Sequence, residues 1–122
     1  MATGKNKSRE NRIVMEIIVD CYDSGERAMG WYCYLENELH FSFTARCAVK
    51  RAISPLKVGD EVEVIGMPPG SECEHEMFVL IRWEKDGLAV PLAQLKVGKD
   101  ADRDTRQAVG DWIYWVEQGY EM

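Results

Sequence analysis

The chain has 122 residues, 46% of them hydrophobic, with 15 basic against 21 acidic side chains and a net charge of −6. A chain of this length can bury roughly two thirds of its unfolded surface, so one domain with an ordinary core is feasible without metal or disulfide staples. The acidic balance argues against a nucleic-acid binder, whose affinity rests on Lys and Arg neutralising phosphates, and suits basic partners or divalent cations.

Charge is uneven along the chain. Residues 1–12 hold Lys5, Lys7, Arg9 and Arg12 against Glu10, so the remainder carries 11 cations against 20 anions, or −9. Residues 1–11 have nothing to bury and are expected as a disordered basic tail, with residues 12–122 forming a single domain. The start lacks the apolar stretch of a secretory signal, and no run approaches the roughly 20 apolar residues that cross a bilayer. A cytoplasmic protein with no membrane partner is the expectation. Cys21, Cys33, Cys47 and Cys73 form no C-x-x-C pair, which favours reduced, buried thiols. A zinc site from Cys47, Cys73 and His75 is the weaker reading.

Ile13, Val14, Ile17, Ile18 and Cys21 follow one helical face and predict a first helix over residues 9–22. Asp23-Ser24-Gly25 interrupts it, and Glu26 gives a capping-box-like restart. Ala28, Trp31, Tyr32, Leu35 and Leu39 then mark a second helix, weakened at Gly30 and terminated at Asn37. The alternative is a strand over residues 31–36 paired with residues 41–46. From Phe41 the period becomes two, with Phe43 and Ala45 alternating with Thr44 and Arg46. Val62 and Val64 alternate with Glu61 and Glu63 in the next strand. Residues 77–83 make a third, and Asp86-Gly87 turns the chain into a fourth over residues 88–92, with Pro91 at an edge or strand end. Val109, Trp112, Ile113 and Val116 place a last helix over residues 105–119, capped by Asp104. The fold class is α+β: N-terminal helices, a small antiparallel SH3-like sheet or barrel, and a C-terminal helix.

Nothing nominates catalysis. The chain has two histidines, no G-x-S-x-G, and no phosphate-cradling glycine loop. His40 reads as an edge or partly buried packing residue, and Trp31, Trp83, Trp112 and Trp115 as packing residues ahead of a stacking platform. Arg46, Lys50, Arg51 and Lys57 form a modest basic patch, at most a dock for an acidic partner or segment.

The acids, in contrast, cluster. Glu36, Asn37 and Glu38 sit at a predicted helix C-terminus, where unpaired carbonyls and the negative dipole end favour a cation. Hard divalent ions such as calcium take six to eight oxygens of these kinds. Glu72, Glu74 and Glu76 alternate in a turn-rich loop. Asp100, Asp102 and Asp104 imitate half an EF-hand loop, with Asp111 at the twelfth position, yet Thr105 stands where that loop needs glycine, so helix capping is the better reading.

The segments RIVMEIIVDCY (12–22), ERAMGWYCYLEN (26–37) and FSFTARC (41–47) resemble the CcbP-like calcium-binding protein family. The likeness continues through SPL (54–56), GDEVEV (59–64), VPLAQL (90–95) and DWIYW (111–115), covering nearly everything after the basic tail. It implies a small acidic intracellular protein that binds Ca2+ as a buffer or regulator without catalysing a reaction. The family pattern has Leu-Glu-Asp and Phe-Pro-Phe where this chain has Leu35-Glu36-Asn37 and Phe41-Ser42-Phe43. The missing carboxylate at Asn37 implies weaker calcium binding, with Glu38 as its neighbour. The expected site is Glu36, Asn37 and Glu38, completed by Glu72 and Glu74 from across the fold. The alternative is an SH3-like protein–protein interaction module without metal, whose basic patch or exposed aromatics meet a protein partner.

Overall fold

In the computed structural model, residues 7–19, 21 and 23–119 are described. The N-terminal segment is held down by Ile13 and Ile17, both buried. It starts as helix α1 (Lys7–Arg12) and continues directly into a π-helical turn (Ile13–Ile17). The Ile18 amide closes that turn on the Ile13 carbonyl at 2.9 Å, and the chain then leaves helical geometry. Ile13 and Ile17, about one turn apart, both reach the core while Val14 stays half exposed. The expected helix over 9–22 is therefore shorter at its end. It begins at Lys7, inside the segment read as tail; Asp20 and Tyr22 lie outside the described residues.

Helix α2 (Ser24–Glu38) starts at Asp23, whose carboxylate accepts the Glu26 amide at 2.8 Å. Trp31, Leu35 and Ala28 form its buried stripe. Asn37 does not terminate the helix. Termination comes at Leu39, which is extended and buried, its amide bonding the Leu35 carbonyl. The His40 amide, which a continuing helix would aim at the Glu36 carbonyl, is donated to Thr105 Oγ1 at 2.9 Å. A tertiary contact ends α2, and no left-handed residue is needed.

Gly30 was expected to weaken α2, and the structure gives it a purpose. A Cβ there would lie 2.6 Å from the Ile17 carbonyl oxygen and 3.3 Å from Cys21 Sγ. Only glycine lets the N-terminal segment lie this close to the helix.

Five antiparallel strands follow: β1 (Phe43–Cys47), β2 (Glu61–Gly66), β3 (Phe78–Ile81), β4 (Leu88–Pro91) and β5 (Leu95–Val97), in spatial order β4-β3-β2-β1-β5. Phe43, Ala45 and Cys47 point into the core, and Ala45 pairs with Val62 on one side and Val97 on the other. Arg46 lies opposite Glu61 on the wet face at 3.3 Å. Pro91 closes β4 at the sheet edge, where its missing N–H costs no ladder bond. Residues 31–36 are helical, so the alternative strand is not formed. β5 went unforeseen; it is short, and a single 3₁₀ turn (Leu92–Gln94) separates it from β4.

Helix α3 (Arg103–Glu117) closes the fold. Its N-cap is Asp102, whose carboxylate accepts the Thr105 amide at 2.8 Å; Asp104, the expected cap, lies inside the first turn. Trp112 meets Trp31 edge to face at 5.1 Å, and Trp115 lies 5.9 Å from the same ring, so these three tryptophans are core. Trp83 sits exposed after β3. Among the described residues, three α-helices on a five-stranded antiparallel sheet make the α+β fold that the periodicity predicted.

Candidate metal centre

Because α2 stays helical through Glu38, the side chains of Glu36, Asn37 and Glu38 leave the axis about 100° apart, the step of a 3.6-residue turn. The expected trio is fanned out. Glu36 projects beside Tyr32, one turn earlier: its charge helps to raise the Tyr32 pKa, second to burial of the phenol. Asn37 and Glu36 line an open hollow shared with Glu16, Ile17 and Tyr34. Glu38 lies on the side of His40, whose pKa it helps to raise, after the much closer Asp102 and then Asp104.

The 68–76 loop reaches α2 through Tyr32. The phenol donates to the Pro68 carbonyl at 2.6 Å, and Gly70 lies against the ring, its Cβ position 3.8 Å from Cε2. Glu72 belongs to the 3₁₀ turn Gly70–Cys73, and Glu74 follows it. Burial chiefly raises the pKa of the Cys73 thiol, with a contribution from Glu72, and Cys73 in turn acts on Tyr32. Glu36 on α2 and Cys73 on this turn both act on the Tyr32 phenol, which spans the seam between the two elements. Glu74 lies on the other flank of Tyr32, in a hollow with Ser24, Met29, Gly70 and His75.

Among the described residues, no group of three or more His, Cys, Asp or Glu side chains is gathered to hold a metal ion. The donor chemistry along the seam nevertheless fits a hard cation. Glu36, Glu72 and Glu74 are exposed carboxylates, and none is in an ion pair among the described residues. Asn37 adds an amide oxygen, and the C-terminal end of α2 supplies the negative end of the helix dipole. Glu76 differs: Arg51 takes both its oxygens, at 2.8 and 2.9 Å.

The EF-hand-like aspartates are committed elsewhere. Asp100 accepts the Thr44 amide and hydroxyl at 3.1 and 3.0 Å, and Asp102 caps α3 and pairs with His40. Asp111 is fully buried under Arg12, Arg9 and the Tyr34 hydroxyl. The weaker zinc reading fails on geometry. Cys73 Sγ lies between the Phe78 amide and carbonyl while Cys47 Sγ bonds the Val49 carbonyl, and His75 joins neither. His40 is half exposed as the Asp102 partner, which corrects its reading as a packing residue.

Two residues escaped the sequence reading. Tyr32 looked like one more member of an apolar stripe, and only its hydroxyl reveals that it carries the acidic loop to the helix. Glu16 looked like ordinary polar-face surface; from the π-helical turn it shares a hollow with Glu36 and Asn37.

A family model described as calcium binding, of the CcbP type, matches residues 11–116. The crystal structure of Anabaena CcbP superposes with a TM-score of 0.86 at 39% identity, covering 100% of both chains. A calcium binding protein in its calcium-binding form superposes with a TM-score of 0.84 at 38% identity, covering 97% of this chain and 96% of the other. No curated protein gives a significant match.

Proposed function

Since the chain belongs to the CcbP family of calcium-binding proteins, we propose that it binds calcium along the seam between α2 and the Gly70–Cys73 turn, as a buffer or regulator without a catalytic step. Glu36 and Asn37 from the helix, with Glu72 and Glu74 from the loop, are the ligands in this reading. Glu38 contributes negative charge from the neighbouring face. The observation that carries it is the Tyr32 hydrogen bond to Pro68 at 2.6 Å, which tethers the acidic loop to α2 one turn before Glu36. Bound calcium supplies the positive charge that lets these carboxylates draw together. An intracellular, reducing setting is supported by the buried thiols of Cys47 and Cys73, although Cys33, also expected to be buried, is exposed.

Affinity follows the charge and rigidity of the ligand set. One amide in place of a carboxylate and ligands that must converge on binding both favour the weaker, sensor-to-extracellular end of the range, roughly 10⁻⁵–10⁻³ M. Calorimetric titration with calcium should give saturable heat for the wild type and at least about tenfold weaker binding for Glu36→Gln/Glu72→Gln. Unchanged binding in that double variant would remove the seam as the site, and no heat at millimolar calcium would remove the function.

A further inference from the structure

The loop between β1 and β2, residues 48–58, contributes none of the proposed ligands, and its surface combines exposed aliphatic side chains with positive charge. Val49, Ile53 and Val58 expose 52%, 64% and 65% of their surface. The loop contains Lys50, Arg51 and Lys57 and no acid, in a chain whose net charge is −6. Arg51 is spent on Glu76, whereas Lys50 and Lys57 have no ion pair among the described residues.

This loop is also held in shape. At its base the Cys47 amide bonds the Asp60 carbonyl and the Gly59 amide bonds the Cys47 carbonyl, both at 2.8 Å. Gly59 takes a φ of 97° to make that closure, and the Asp60 carboxylate accepts the Lys57 amide. Ser54 and Leu56 are buried beneath the loop, and the Ser54 amide closes a turn on the Arg51 carbonyl at 3.1 Å. Exposed aliphatic side chains on a pinned backbone cost little ordering when covered, and this is what a preformed docking surface requires.

We propose that residues 48–58 form a docking surface for an acidic protein segment carrying aliphatic side chains. The two unpaired lysines meet its carboxylates, and Val49, Ile53 and Val58 meet its apolar side chains. Charge decides between such a segment and an anionic membrane. A segment touches only the basic loop, while a charged plane also faces the acidic remainder of the surface within a Debye length of about 8 Å and is repelled by it. The surface is independent of calcium at the seam.

The test is amide NMR on isotope-labelled protein titrated with a short acetylated peptide of glutamates interspersed with leucines. Shifts should concentrate at residues 48–58 and shrink with added salt. Binding should weaken at least about tenfold in Lys50→Glu/Lys57→Glu and severalfold in Ile53→Ser. The same spectra report that each variant is folded. Absence of shifts, equal shifts with lysine in place of glutamate, or binding only to phosphatidylcholine/phosphatidylserine vesicles would each overturn the proposal.

Discussion

Asp111 shows how one residue's neighbours decide its role. Spacing alone made it the last ligand of an imitation EF-hand, but its carboxylate is buried and taken by Arg12 Nη2 at 2.7 Å, Arg12 Nε at 3.0 Å and Arg9 at 3.1 Å. The Tyr34 hydroxyl donates to it at 2.8 Å, and burial, then that bond, keep the phenol protonated far above its usual range. Hydrogen bonding to Asp111 likewise raises the Arg12 pKa. Asp111→Asn leaves partly buried guanidinium groups facing a neutral amide, and should cost roughly 3 kcal/mol in urea unfolding. His40 and Asp102 make the complementary, exposed case. Hydrogen bonding to Asp102 raises the His40 pKa above 6.5, and the same bond, with the Thr105 amide, holds Asp102 down at about 2. The histidine's contribution is complete below its unfolded pKa and fades as pH rises through the raised folded value. The aspartate's is complete above its unfolded pKa and fades as pH falls toward about 2. An NMR titration should show His40 titrating above 6.5, and falling back toward it in Asp102→Asn.

Among the elements, the N-terminal segment departs most from its sequence pattern. Arg9 falls in the segment expected as tail and Arg12 at the start of the domain, because the partner they share, Asp111, lies 99 positions from Arg12. A π-helical turn is equally invisible to a periodicity argument that assumes 3.6 residues per turn. Gly30 is the point at which this segment and α2 touch. Alanine there gains helix propensity of about 1 kcal/mol but sets a Cβ 2.6 Å from the backbone oxygen of Ile17, which cannot rotate away. Gly30→Ala should therefore lower stability by about 1–3 kcal/mol in chemical denaturation, the usual cost of overpacking. Gly25→Ala, whose nearest neighbour would be Asp23 Oδ1 at 3.4 Å, should leave stability within about 0.5 kcal/mol.

At the scale of the whole molecule, the parts legible in the sequence were those set by local pattern. The stripe Ala28, Trp31 and Leu35 and the alternation Phe43, Ala45 and Cys47 located α2 and β1 because both faces are fixed by the core they bury. The acidic clusters were legible as clusters but not as partners, since which carboxylates meet is decided by tertiary contacts such as Tyr32 on Pro68. Sequence adjacency grouped Glu36 with Glu38, and helix geometry separates them onto different faces. The fold instead ties Tyr32, one turn before Glu36, to a loop 36 positions away. The proposed site draws exposed carboxylates of two elements onto one ion, so the binding signal should be local to that seam. Amide NMR during a calcium titration tests this most directly. Saturable shifts are expected at residues 33–38 and 70–75, with α3 and the β1–β2 loop nearly unmoved. Saturable shifts centred on residues 100–104, or none at millimolar calcium, would contradict it.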